Sequence, residues 1–340
     1  MHLHYPFKDK PAGGEVREIA PGVFWLRMSL PFQLDHINLW LIADGEAWCI
    51  VDTGFACDAT RDAWSRVLAD LEGPVRTLVV THFHPDHLGL ATWLLEKTGA
   101  ALYMTSAEFL TAHAVWNEFG GWGARFMVEQ FRRNGLSGER LARYETRGSG
   151  YRVSVPELPQ HYRRLVEGCR LQLGGRDWQV LTGYGHSPEH AALYCREGGV
   201  LISGDMLLPK ISTNISVPAA TPDNDALGTF LASLDRMAIE LPEETLVLPS
   251  HGLPFVGIRS RVAALRAHHD ERLDALAAAC VLPQSAADAM AVLFPRPLDT
   301  HQTMFAMGET IAHLIHLEQQ GRLIRQEDPD GVIRYAARMK

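Results

Sequence analysis

Apolar and polar positions first fall into a regular pattern at residue 16. From there to residue 51, the runs Val23-Phe24-Trp25-Leu26-Arg27, Ile37-Asn38-Leu39-Trp40-Leu41-Ile42 and Ala47-Trp48-Cys49-Ile50-Val51 are separated by Pro- and Gly-marked turns such as Asp44-Gly45. Short β-branched and aromatic runs between such turns predict a meander feeding a sheet. Helical periodicity follows over residues 58–71 and 90–97, alternating with strand-like runs at 75–80 and 101–104. Further strand-like runs lie at 179–181, 191–195, 200–203 and 245–248. This alternation predicts an α/β chain with two sheets sandwiched between helices.

Two stretches depart from that rhythm. Residues 106–166 read as a helical insertion with Phe109, His113, Trp116, Phe119, Trp122, Phe126 and Phe131 at helical spacing, broken by Gly120-Gly121. It is expected to act as a lid whose Trp116 and Trp122 make an apolar wall for substrate. After residue 257 the composition shifts to an Ala/Leu-rich helix at 259–279, with His268 and His269 in it, then helix-like 285–293 and 309–319. The β-like runs 322–325 and 332–335 follow, around the turn signal Asp328-Pro329-Asp330-Gly331. Helices followed by a hairpin look like a winged helix, so the expected domains are 1–257, catalytic, and 258–340, winged-helix-like.

Composition bounds the function. A chain of 340 residues, 46% hydrophobic, can bury a sizeable core. A net charge of -8 without a predominant basic block leaves little counterion release to drive binding of a polyanion. The stretch 310–320, where a winged helix would carry its recognition helix, holds no Lys or Arg for phosphates and base edges. Nucleic acid is therefore not the expected partner, and the C-terminal domain is expected to cover the first domain or to mediate a homodimer. His313 and His316 on that helix read as ordinary surface histidines. The cysteines Cys49, Cys57, Cys169, Cys195 and Cys280 are odd in number and form no CxxC pair, as in a reduced cytoplasmic protein. No apolar run is long enough to span a bilayer, and the N-terminus lacks the core of a signal peptide. His2 and His4 precede a Pro- and Gly-punctuated leader and are expected to belong to a frayed terminus.

The chemistry concentrates in Thr81-His82-Phe83-His84-Pro85-Asp86-His87-Leu88-Gly89, where four metal-binding side chains crowd into six positions after an apolar run. His82 and His84, two apart in an extended loop, project to the same side, while Asp86 and His87 turn with the entering helix. Two adjacent coordination sites are implied. Downstream, Gly185-His186-Ser187-Pro188-Glu189-His190, Ser203-Gly204-Asp205 and Ser250-His251-Gly252 each place a His or Asp after a strand-like run, flanked by glycine. Over residues 16–257 the chain resembles the metallo-β-lactamase-fold hydrolases, whose pattern is HxHxDH followed by His, Asp and His. The resemblance implies the αβ/βα sandwich. It also implies that His82, His84 and His186 hold one metal, that Asp86, His87 and His251 hold the second, and that Asp205 bridges them. Imidazole and carboxylate ligands suit zinc and do not exclude iron or manganese. Asp52, in Asp52-Thr53-Gly54, matches the first motif of that superfamily and is expected to support the ligands from behind. His190 is expected to support the ligands or to touch substrate.

Two divalent ions sharing a water would generate a hydroxide nucleophile, with Asp86 placed to coordinate and to accept the proton. The expected function is hydrolysis of a small ester, thioester or lactone with an apolar acyl part. A nuclease or phosphodiesterase of the same fold is the alternative enzyme, and a metal-stabilised binding module acting through the winged helix is the alternative outside catalysis. Leu208 stands three residues after Asp205, where lactonases of the superfamily commonly have tyrosine, and Lys210 is the nearby cation. A glutamate stands in the position of His84 in diiron oxygen-reducing relatives, so a redox role of that type is not expected.

Overall fold

Seven strands hydrogen-bond in chain order into one sheet: β1 (Val16–Ala20), β2 (Val23–Ser29), β3 (His36–Asp44), β4 (Ala47–Val51), β5 (Val75–Val79), β6 (Ala101–Thr105) and β7 (Arg163–Leu165). The computed structural model that shows them describes residues 3–147 and 150–338. β1 to β4 form the expected antiparallel meander. From β4 to β7 the pairing is parallel, which requires crossovers, and the helices Asp58–Asp70 and Ala91–Thr98 supply the first two. A second sheet follows with β8 (Arg170–Leu173), β9 (Arg176–Gly183), β10 (His190–Cys195), β11 (Val200–Gly204) and β12 (Leu246–Pro249), in the order β12-β11-β10-β9-β8. Only its β11–β12 step is parallel.

The two sheets share one core. Trp25, Trp40, Ile42, Val51 and Val79 from the first sheet pack with Trp178, Val180, Leu193, Ile202 and Leu248 from the second. β3 is buried continuously from Ile37 to Ile42, as a strand covered on both faces must be. The helix Asp58–Asp70 buries Thr60, Ala63, Trp64 and Val67, a single stripe at three- and four-residue spacing. Trp64 also donates from Nε1 to the Thr53 carbonyl at 2.8 Å, which ties that helix to the turn after β4. Losing a fully buried ring such as Trp178 from this core would cost about 3–5 kcal/mol.

The chain divides into two compact units. The first comprises residues 1–113, 151–213 and 233–262, and contains both sheets. The second comprises residues 114–150, 214–232 and 263–340, so part of the insertion is built together with the C-terminal helices. Within it Tyr144 donates to the Thr300 carbonyl at 2.5 Å, the Ala287 N–H to Asn134 O at 3.0 Å, and Gln130 Nε2 to Val217 O at 3.0 Å. Its hairpin pairs β13 (Leu323–Glu327) with β14 (Ile333–Ala337), closed by the turn at Gly331 with φ 78°. Ser285 and Asp299 each cap the following helix with a reciprocal capping box.

Several expectations need correction. The insertion is helical from Ser106–Trp116 through Tyr151–Ser154, but Arg163–Leu165 is a strand paired with β6 rather than part of it. The helix expected at 309–319 begins a full two turns earlier, as Thr300–Gln319, and a further helix, Ala226–Glu240, stands where no element is expected. His313 is not on the surface: it is 0% exposed, between His269 and the Glu309 carbonyl. His4 is not frayed, because its N–H and C=O both bond to Val256, at 3.1 and 2.8 Å. That pairing satisfies one donor and one acceptor of the backbone after β12. His2 lies outside the described residues. Among the described residues no helix is long and apolar enough to cross a membrane. All five cysteines are free thiols.

Candidate metal centre

Each expected ligand stands just beyond the C-terminal end of a strand in the first unit: His82 to His87 after β5, His186 after β9, Asp205 after β11 and His251 after β12. Ligand-binding crevices in α/β sheets form at these ends, where strands stop and the loops leaving them converge. The convergence is close. His82 Nε2 lies 2.9 Å from His84 Nδ1 and 3.2 Å from His186 Nε2. His87 Nε2 lies 3.7 Å from Asp86 Oδ2, and His251 Nε2 lies 3.4 Å from that same oxygen. Asp205 faces both groups: its Oδ2 is 3.5 Å from His186 Nε2, while its Oδ1 is 3.6 Å from His87 Nε2 and 3.4 Å from His251 Nε2. Three sets of three, His82/His84/His186, His82/His87/Asp205 and Asp86/His87/His251, bring one potential ligand atom each within 4.8 Å of the others.

These atoms suit a cation better than they suit each other. Among the described residues, His87 Nε2 and Asp205 Oδ1 are buried with no hydrogen-bond partner. An unpaired buried acceptor costs roughly 1–3 kcal/mol, more when charged, and a divalent ion between carboxylate and imidazole removes that cost. The two halves also differ electrostatically. Burial, reinforced by His186, pushes His84 down to about 3, and burial with the neighbouring imidazoles pushes His82 well below its ordinary value, so both rings are neutral. In the other half burial would favour neutral rings but is outweighed: Asp52, Asp86 and Asp205 raise His87 to about 9, and Asp205 and Asp86 raise His251. Asp86 is held down to about 2 by His87 and His251 against the opposing effect of burial. One half presents neutral imidazoles and the other imidazoles paired with carboxylates, which hold protons on His87 and His251 that must leave before those rings take a divalent metal.

Behind the ligands the supports are specific. Asp52, in a left-handed conformation with φ 63°, accepts from the Thr81 N–H at 2.8 Å and from His87 Nδ1 at 2.8 Å. That bond leaves His87 Nε2 facing Asp86 and Asp205. His190 is 0% exposed, and its Nε2 accepts the Asp205 N–H at 3.2 Å. A Cβ on Gly204 would run into that Nε2, so the residue before Asp205 must be glycine for the two to meet. Lys210 is exposed on the loop after Asp205, and Leu208 is buried. Trp116 and Trp122 are half-buried in the second unit, at the end of the helix Ser106–Trp116 and in the 3₁₀ turn Gly120–Trp122.

Three supports have no counterpart in the sequence reading. His36 accepts the Gly252 N–H through Nε2 at 2.9 Å, and its carbonyl accepts from His251 Nδ1 at 2.8 Å, which aims His251 Nε2 at the acids. Asn38, 0% exposed in β3, donates to Pro249 O and Gly252 O at 2.8 and 2.9 Å and accepts from Trp25 Nε1 at 2.8 Å. A lone amide inside the apolar run Ile37–Ile42 was the available signal, since a buried Asn must find partners. Glu108, also fully buried, accepts from Phe83 N–H, Ser187 Oγ and Glu189 N–H. Burial pushes its carboxyl up to about 7 against those bonds. An acid in the first turn of a helix looks ordinary, and nothing local marks it.

Residues 33–251 match the family described as "Metallo-beta-lactamase superfamily", and residues 273–338 match "Metallo-beta-lactamase-like, C-terminal domain". The crystal structure of a "Beta-lactamase domain protein" from Burkholderia ambifaria is 46% identical, with a TM-score of 0.92 over 99% of this chain and 98% of that one. A "Probable metallo-hydrolase YqjP" from Bacillus subtilis is 24% identical over 320 residues, 88% of this chain and 92% of the relative. The human protein described as "Acyl-coenzyme A thioesterase MBLAC2" is 25% identical over 199 residues, 56% of this chain and 65% of its own length.

Proposed function

Since the chain belongs to the metallo-β-lactamase superfamily and is a metal-dependent hydrolase, we propose that it works with two divalent ions and cleaves a small ester, thioester or lactone. The observation that carries this reading is Asp205, whose two oxygens face different histidine groups at 3.4 to 3.6 Å. His82, His84 and His186 would hold one ion, Asp86, His87 and His251 the other, and Asp205 both. Zinc is the proposed metal, with iron and manganese as the first-row alternatives that elemental analysis separates. When bound, such ions supply Lewis acidity and lower the pKa of coordinated water towards neutrality. The chain's own residues do the rest. Asp86, held ionised, accepts the proton released on attack, and Asp52 keeps the His87 proton on Nδ1 so that Nε2 remains a ligand. No serine or cysteine nucleophile is needed.

The thioester is the favoured member of the substrate class, supported by the acyl-coenzyme A thioesterase among the relatives. The C-terminal helices and hairpin are read as winged-helix-like, without a role in nucleic-acid binding. A screen of the zinc-loaded chain against acyl-coenzyme A thioesters, lactones and bis-p-nitrophenyl phosphate tests the reading. Turnover of thioesters, abolished by chelation and restored by zinc, is expected. Turnover confined to the phosphodiester would replace it with the phosphodiesterase reading.

A further inference from the structure

We propose that Glu108 is a positioning residue that clamps the loop carrying His82 and His84 to the loop carrying His186, and so sets the spacing of the three-imidazole half of the centre. The inference rests on the metal-binding reading of those histidines. Glu108 lies in the first turn of the helix Ser106–Trp116, directly after β6, and is 0% exposed. Its Oε2 accepts the Phe83 N–H at 3.0 Å, and Phe83 is the residue between His82 and His84. Its Oε1 accepts from Ser187 Oγ at 2.6 Å and from the Glu189 N–H at 2.7 Å, in the segment that begins at His186. One carboxylate therefore holds both sides of the group that contains all three rings.

Neighbouring bonds complete the clamp. Tyr151 donates its hydroxyl to the Phe83 carbonyl at 2.6 Å, and Thr105 Oγ1 donates to the Glu189 carbonyl at 2.8 Å. The backbones of Phe83 and Glu189 are thus each pinned at both N–H and C=O. Three donors converge on two carboxylate oxygens, a pattern that no neutral side chain of the same size can match. Glutamine offers one acceptor oxygen and one NH₂ group, so whichever way the amide is turned, a backbone N–H of Phe83 or Glu189 faces a donor. Burying a carboxylate is expensive compared with burying an apolar side chain of similar volume. A site that needed only to be filled would not carry one, whereas a site that must fix two loops relative to each other gains from it.

The test is the pair of zinc dissociation constants of the wild-type and Glu108→Gln chains, measured by competition with a chromophoric chelator, alongside thermal melting of each metal-free protein. The wild type is expected to take two ions. Glu108→Gln should weaken one constant by about 10- to 100-fold, the usual effect of removing an outer partner of a ligand, and leave the other close to wild type. Constants both equal to wild type overturn the proposal. So does an equal fall of both together with the metal-free melting temperature, which would make Glu108 a residue of general stability. If Glu108→Gln does not fold, Ser187→Ala decides: it removes one donor, keeps the carboxylate and both backbone donors, and must still weaken one constant selectively. A wild-type chain that binds a single ion defeats the dinuclear reading separately, and the clamp then stands or falls on that one constant. With none bound, both fall.

Discussion

Asp205 is the residue on which the two halves of the centre depend. Its oxygens face His186 on one side and His87 with His251 on the other, whereas His251 faces only the acidic half. Asp205→Asn is therefore expected to lower the content of both metals, and His251→Ala mainly that of one; elemental analysis of the two purified variants reads the difference. Equal losses in both variants would argue against a shared carboxylate. Asp52 acts one bond further out. Asp52→Asn replaces an acceptor for His87 Nδ1 and the Thr81 N–H by an amide that can satisfy only part of that set. Metal affinity should fall by about 10- to 100-fold, measured by chelator competition, with the fold retained by circular dichroism. Unchanged affinity would show that the His87 ring is oriented by packing alone.

Among the elements, those whose pattern is local were legible in the sequence, and those formed by pairing at a distance were not. The strands Ala47–Val51 and Val200–Gly204 announce themselves as apolar runs ended by Asp-Thr-Gly or glycine, and the support Asp52 and the expected ligand Asp205 follow them directly. Arg163–Leu165 carries no such pattern and becomes a strand only because β6 offers an edge to pair with. His36 and Glu108 were illegible for a related reason: their partners lie as far as 216 and 81 positions away in the chain, whereas Asn38 carried the signal of a lone amide in an apolar run. The helix Ala226–Glu240 is a different case, since Leu227, Phe230, Leu231 and Leu234 do carry a helical period. In the helix Thr300–Gln319 the same burial that hid His313 creates a pH dependence. His313 Nδ1 donates to the Glu309 carbonyl, so its Nε2 accepts from His269 Nδ1 at 3.1 Å, and both rings are neutral. Burial lowers each to about 3 from an ordinary 6.5. Between those values the unfolded chain binds more protons than the folded one, so stability must rise with pH there and fall on acidification. The fall is on the order of 1 kcal/mol per pH unit for each ring. His269→Asn, which keeps a donor near Nδ1 but removes one titrating ring, should flatten the pH dependence of urea unfolding over this range. An unaltered slope would assign the dependence to other groups.

For the molecule as a whole, the sheets and every candidate ligand fall in one compact unit, and the C-terminal helices and hairpin fall in the other. The family matches divide the chain differently, at residues 33–251 and 273–338, the first of them including residues 114–150 and 214–232 of the second unit. The shared chemistry of the superfamily resides in the first of these regions, so its ligand geometry rather than the appended elements carries the claim that this is a two-metal hydrolase. The most direct measurement is anomalous diffraction at the zinc edge from crystals of the zinc-loaded chain. Two peaks are predicted, one among His82, His84 and His186 and the other among Asp86, His87 and His251, with the Asp205 carboxylate between them. A single peak, or peaks away from these seven side chains, would contradict the account.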